Sequence, residues 1–75
     1  MLLGDLIYDN DIDINCVIEV YDCTDPNVQH NNQAPLIYTN KDNYHKPLDK
    51  VLDMTVTYIT VINNKLIIEV TKRKD

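Results

Sequence analysis

The chain has no serine, no tryptophan and no phenylalanine, and it has only one glycine and one arginine. Without serine there is no serine nucleophile. A single glycine, Gly4, excludes a glycine-rich phosphate loop, which needs several backbone positions free of a side chain. Seven basic residues against twelve acidic ones argue against direct duplex-DNA binding, because that affinity rests on neutralising many phosphates. Long apolar runs are missing too. The cluster Leu2, Leu3, Leu6 and Ile7 is broken by Gly4 and Asp5, lacks a basic lead-in, and is far shorter than the roughly 20 residues of a membrane span. The expectation is a soluble, cytoplasmic protein with no membrane partner. With 75 residues it forms one small domain, residues 1–75. A chain of this size buries only about 60% of the surface its unfolded form exposes.

What is present is strand-forming. From Ile14 to Tyr21, the set Ile14, Cys16, Ile18 and Val20 alternates with Asn15, Val17, Glu19 and Tyr21, which predicts a strand with the first set facing the core. Leu36 to Thr39 predicts a second, short strand. Residues 55–62 and 65–72 are rich in Val, Ile, Thr and Tyr, with Asn63-Asn64 between them. Asparagine tolerates the positive φ that a two-residue hairpin turn requires. Counting outward from that turn pairs Val61 with Leu66, Ile59 with Ile68 and Thr57 with Val70 on one face. On the other it pairs Ile62 with Lys65, Thr60 with Ile67 and Tyr58 with Glu69.

Helical signals are shorter. Leu2, Leu3, Leu6 and Ile7 share a face at spacings of three and four, which predicts a helix over residues 2–9. Pro47 can open a one- or two-turn helix with Leu48, Val51 and Leu52 on one face. Polar loops fill residues 22–34 and 40–46. The sum is an α+β chain: a small antiparallel four-stranded sheet, a short N-terminal helix and a short helix before the C-terminal hairpin. A small, strongly curved β barrel is the alternative.

The order Leu3-Gly4-Asp5-Leu6-Ile7, then Leu52-Asp53, Val56, Ile59, Leu66 and Ile68-Glu69-Val70, resembles short uncharacterised proteins of prophages and mobile elements of Gram-positive bacteria. It covers residues 1–7 and 51–75, mostly at apolar positions. The polar stretch from Asp22 to Asn43 departs from the shorter turn such proteins imply. The resemblance implies a phage setting, in which small domains bind and inhibit host machinery.

Several constellations lead to plainer readings. Cys16, Cys23, His30 and His45 lack the close ligand pairs from which zinc sites are built, and two free thiols fit a reducing compartment. Asp9, Asp11 and Asp13 alternate as in a calcium loop, yet the turn glycine and the closing glutamate are both missing. No metal and no cofactor is expected. Residues 1–40 hold seven acids and no base, while residues 41–75 hold five acids and seven bases. That asymmetry admits an acidic DNA mimic, although a solvated acidic surface explains it as well. The tail Lys72-Arg73-Lys74 suits a solvated strand end.

Five tyrosines are the only aromatic residues. Tyrosine suits surfaces that are both apolar and wet. The candidate partner- or ligand-binding residues are Tyr21, Tyr38, Lys41, Asn43, Tyr44, His45, Lys46 and Tyr58. Three functions follow. The first is a homo-oligomeric binding protein that docks a host protein and inhibits a host defence system. The second is a protein that sequesters a small anionic nucleotide signal, with Tyr38, Asn43, Tyr44, His45 and Lys46 as its pocket. The third is the DNA mimic. No motif orients His30 or His45 beside a carboxylate, so catalysis is not expected.

Overall fold

The computed structural model describes residues 1–9, 16–25, 27, 34–41 and 46–72. Four strands form one sheet: β1 (Val17–Asp22), β2 (Leu36–Thr39), β3 (Thr55–Ile62) and β4 (Lys65–Thr71), in the order β2-β1-β4-β3. A short helix, α1 (Asp49–Leu52), precedes β3, and a π-helical turn spans Asp5–Asp9. The arrangement is consistent with the α+β class.

The sheet is mixed, which corrects the wholly antiparallel expectation. β1 pairs antiparallel with β2, and β3 with β4, but β1 and β4 run parallel from Val17 opposite Lys65 to Asp22 opposite Val70. The composition of β4 explains its central position. Ile67 and Ile68 are successive, so they point to opposite faces, and both are buried. A strand that buries a branched side chain on each face gains from a neighbour on each side, although its second face also carries Lys65 and Glu69.

The hairpin follows the counted register from Ile62 opposite Lys65 to Tyr58 opposite Glu69. Asn63 and Asn64 both take positive φ, 51° and 64°, as a type I′ turn demands. Beyond Tyr58 the expected Thr57–Val70 pair is replaced by Val56 opposite Val70, with a bulge between Val56 and Tyr58. The bulge puts branched Val56 against the core and leaves Thr57 exposed, where its hydroxyl donates to the Glu69 carbonyl at 3.1 Å.

The core lies on one face of the sheet. Ile18, Val20, Tyr38, Ile68 and Val70 meet Leu3 and Leu6 from the N-terminal turn, Val51 from α1, and Met54. Leu3, Val20, Ile68 and Val70 are fully buried. The expected N-terminal helix is present over residues 3–9, its larger part π-helical, with Leu3 and Leu6 inward. The Asp5 carboxylate accepts from the Leu2 N–H at 3.2 Å, half of a capping box. Gly4 faces α1, where a Cβ would sit in ordinary contact, 3.4 Å from the Leu52 carbonyl oxygen.

Three smaller expectations change. Cys16 has the parity of Ile18 but precedes the first paired residue of β1, and it is exposed rather than in the core. The Asn40 side chain clamps this entry, accepting from the Ile18 N–H at 2.8 Å and donating to the Cys16 carbonyl at 3.3 Å. Pro47 stands just before α1 rather than in its first turn, and Leu48 is exposed instead of sharing the buried side of Val51.

Candidate functional site: the second face of the sheet

The core uses one face of the sheet, and alternation assigns the other side chains to the second face. Parallel and antiparallel pairing arrange them in three rows. Tyr21, Glu69 and Tyr58 form the first, Glu19, Ile67 and Thr60 the second, and Val17, Lys65 and Ile62 the third. Neighbouring strands lie about 4.8 Å apart, so the two tyrosines flank Glu69 with roughly 10 Å between their backbones. Ile67 is buried at the centre of this lattice, whereas Tyr58 and Ile62 are exposed.

The polar groups here are tied together. The Tyr21 hydroxyl donates to Glu19 Oε1 at 2.9 Å, and Lys65 Nζ lies 3.6 Å from Glu19 Oε2. Burial, then the hydrogen bond to Glu19 and its charge, raise the Tyr21 phenol above its ordinary pKa. The Cys23 thiol donates to Glu69 Oε1 at 3.6 Å. Burial first, then the charge and hydrogen bond of Glu69, then the charge of Asp22, push that thiol up to about 11. Both carboxylates therefore have neighbours that hold them, Glu69 between the two tyrosines and Glu19 in the adjoining row beside Lys65.

Of the residues expected to bind, Tyr21 and Tyr58 come together on this face. Tyr38 does not, because it is buried in the core on the opposite side, opposite Val20. Lys41 is exposed just after β2, and its N–H donates to the Thr39 hydroxyl at 3.2 Å. Lys46 is exposed before α1, 4.0 Å from Asp49. Asn43, Tyr44 and His45 lie outside the described residues, as do His30, Asp11, Asp13 and the end of the basic tail. Glu19, Lys65 and Glu69 were not among the expected site residues. Their signal was the period-two alternation of charged residues on the side of the strand facing away from the core.

A groove of about 700 Å³ opens on the other side of the molecule, lined by Ile37, Leu48, Val51 and Met54 with Asp22, Asp53, Lys50 and Lys72. Its two lysines are balanced by two aspartates. Among the described residues no three of His, Cys, Asp and Glu converge in a way that could hold a metal ion. None of their helices is long and apolar enough to cross a membrane. No family model, curated protein or solved structure matches the chain.

Proposed function

We propose that this chain is a small binding protein that acts by contact rather than by chemistry, with the second face of its sheet as the docking surface for a host protein. The observation that carries this reading is the row Tyr21–Glu69–Tyr58, in which two tyrosines flank a carboxylate beside buried Ile67. Tyrosine contributes large contact area at low rotamer cost and is enriched at the energetic centres of interfaces. A carboxylate already ordered by its neighbours loses little freedom on binding. The face suits a partner with an apolar centre and a basic group opposite Glu69. Taken with the resemblance to prophage proteins, the role is inhibition of a host defence system in the host cytoplasm, exercised as an oligomer.

Nucleotide sequestration receives less support. Its proposed stacking residue Tyr38 is part of the core, and the described groove offers no excess of positive charge. The DNA-mimic reading gains only the two carboxylates of the second face, one of which lies beside Lys65.

The test is capture of host proteins from a Gram-positive lysate by the immobilised chain and by its Tyr58→Ala, Glu69→Lys and Lys46→Ala variants. A defence-system component retained by wild type and Lys46→Ala, but reduced at least tenfold by the other two, is the expected result. Equal retention by all four sinks the proposed surface. Thermal stabilisation by a cyclic or ADP-ribose-like nucleotide would move the reading to sequestration.

A further inference from the structure

β3 is an edge strand of unusual composition. Its eight residues, Thr-Val-Thr-Tyr-Ile-Thr-Val-Ile, include no charge, no proline and no glycine. Natural edge strands are normally protected by lysine, proline, a covering segment or short length, because an unpaired row of N–H and C=O groups invites another strand. Among the described residues the protection reaches only the start. Leu2 bridges to Thr55, the Val56 N–H donates to the Met1 carbonyl at 2.8 Å, and the Leu3 N–H donates to Met54 at 2.9 Å. From Tyr58 to Ile62 no described residue pairs with the outer edge. Tyr58, Ile59, Val61 and Ile62 are all exposed there, with Val61 at 67%.

The two sides of this stretch differ in what they leave unfinished. Ile59 and Val61 stand opposite Ile68 and Leu66, on the core face, yet the layer of α1 and the N-terminal turn does not bury them. Tyr58 and Ile62 are at the margin of the second face. A partner must therefore continue both faces at once, which a β-strand does and a helix laid on one face does not.

We infer that the occupant is a second copy of this chain, paired antiparallel through β3 about a twofold axis at Thr60. This deepens the oligomer in the proposed function and rests on it. Charge supports self-pairing, because an uncharged strand meeting itself sets no like charges opposite each other. Register supports it independently. A two-residue turn closes on a hydrogen-bonded pair, so Ile62, Thr60 and Tyr58 direct their backbone groups to β4. Ile59 and Val61 direct theirs outward. The bulge at Thr57 and the turn at Asn63 bound the free stretch on either side.

Within those bounds, one register pairs both outward residues with outward residues: Ile59 opposite Val61 of the second copy, and Val61 opposite its Ile59. That arrangement makes about four backbone hydrogen bonds. It places Tyr58 beside Ile62 and Thr60 beside Thr60 across the axis. The product is a continuous eight-stranded sheet, carrying the row Tyr21–Glu69–Tyr58 twice. So short a ladder falls at the small end of specific interfaces, below roughly 1,200 Å², where weak and transient complexes are found.

The test combines sedimentation across the micromolar range with cysteine cross-linking. Val61→Lys places a charge on the free edge at an exposed position and should raise the dimer dissociation constant at least tenfold, with circular dichroism unchanged. Thr60→Cys, in a Cys16→Ser, Cys23→Ser background, should oxidise to a covalent dimer. Residues facing each other in a non-hydrogen-bonded pair have Cα atoms about 4.5 Å apart, inside the disulfide range. Asn63→Cys in the same background should not cross-link. A dimer that survives Val61→Lys and gives no Thr60→Cys link overturns edge pairing while leaving the oligomer reading intact. A strict monomer throughout the range overturns both.

Discussion

Replacing Glu69 with glutamine should make Cys23 more reactive, and the size of that change tests the geometry at the centre of the tyrosine row. The thiol is raised from an ordinary 9.0 to about 11, with burial the largest cause and Glu69 acting next through its charge and its hydrogen bond. Alkylation proceeds through the thiolate. At pH 8 a thiol of pKa 9.0 is about 10% ionised, and one near 11 only about 0.1%, so folded Cys23 should react up to about a hundredfold more slowly than in the unfolded chain. Cys23 is only partly buried, and solvent screening makes that factor an upper bound. Glu69→Gln removes the nearby charge but not the burial, so it should restore about three- to tenfold of the rate. Asp22→Asn, which removes the weakest cause, should do less. The assay is iodoacetamide labelling followed by intact mass in a Cys16→Ser background, from pH 7 to pH 9. A Glu69→Gln rate equal to wild type would refute the contact between the thiol and the row. Labelling as fast as in urea would refute the raised pKa itself.

Three further outcomes follow from the same structure. Ile68→Ala, at a fully buried position in the central strand, should cost about 2–5 kcal/mol in urea unfolding, whereas Val61→Ala at the exposed edge should stay within about 0.5 kcal/mol. Asn64→Ala should lose about 1 kcal/mol, because it keeps a β-carbon in the left-handed region without a side chain that bonds locally, and Asn64→Gly should not; equal midpoints for the two would contradict the turn type. The native state keeps the Cys23 proton that the unfolded chain sheds above about 9, so this contribution to stability is complete below that pH and is lost as pH rises through about 11. Tyr21 acts in the same direction above its ordinary 10.0. The urea midpoint should therefore fall between pH 8 and pH 10.5, and fall less in Glu69→Gln.

How far these features could be read from the amino acids depends on how local they are. The hairpin was legible because Asn63-Asn64 fixes its own geometry and the alternation on either side permits one register. The Thr57 bulge was not, since it answers to the demand of Val56 for the core rather than to anything in the turn. Parallel pairing of β1 with β4 was illegible from either strand alone, although Ile67-Ile68 carried a trace of it. Tyr21 and Tyr58 were placeable because a charged or polar neighbour of the same parity marks their side of the strand. Tyr38 was not: Leu36, Ile37 and Tyr38 are three large residues in succession, so parity assigns neither face. Glu69 became visible as part of a site only when both neighbouring strands were known.

The parallel contact also sets an order of assembly. The hairpin closes a loop of two residues between Ile62 and Lys65, whereas Val17 finds Lys65 across about fifty positions. Each doubling of loop length costs about 0.6 kcal/mol, so the second closure starts about 3 kcal/mol behind the first. We expect β3 and β4 to be largely formed in the folding transition state, with β1 and β2 docking afterwards onto β4 as a ready template. Substitutions in β4 that weaken the hairpin should slow folding, while Ile18→Val should mainly quicken unfolding; the reverse pattern in the rates would overturn that order. In that order β4 is itself an open edge until β1 arrives, so a hairpin formed alone would expose uncharged β3 on one side and β4, with only Lys65 and Glu69 charged, on the other.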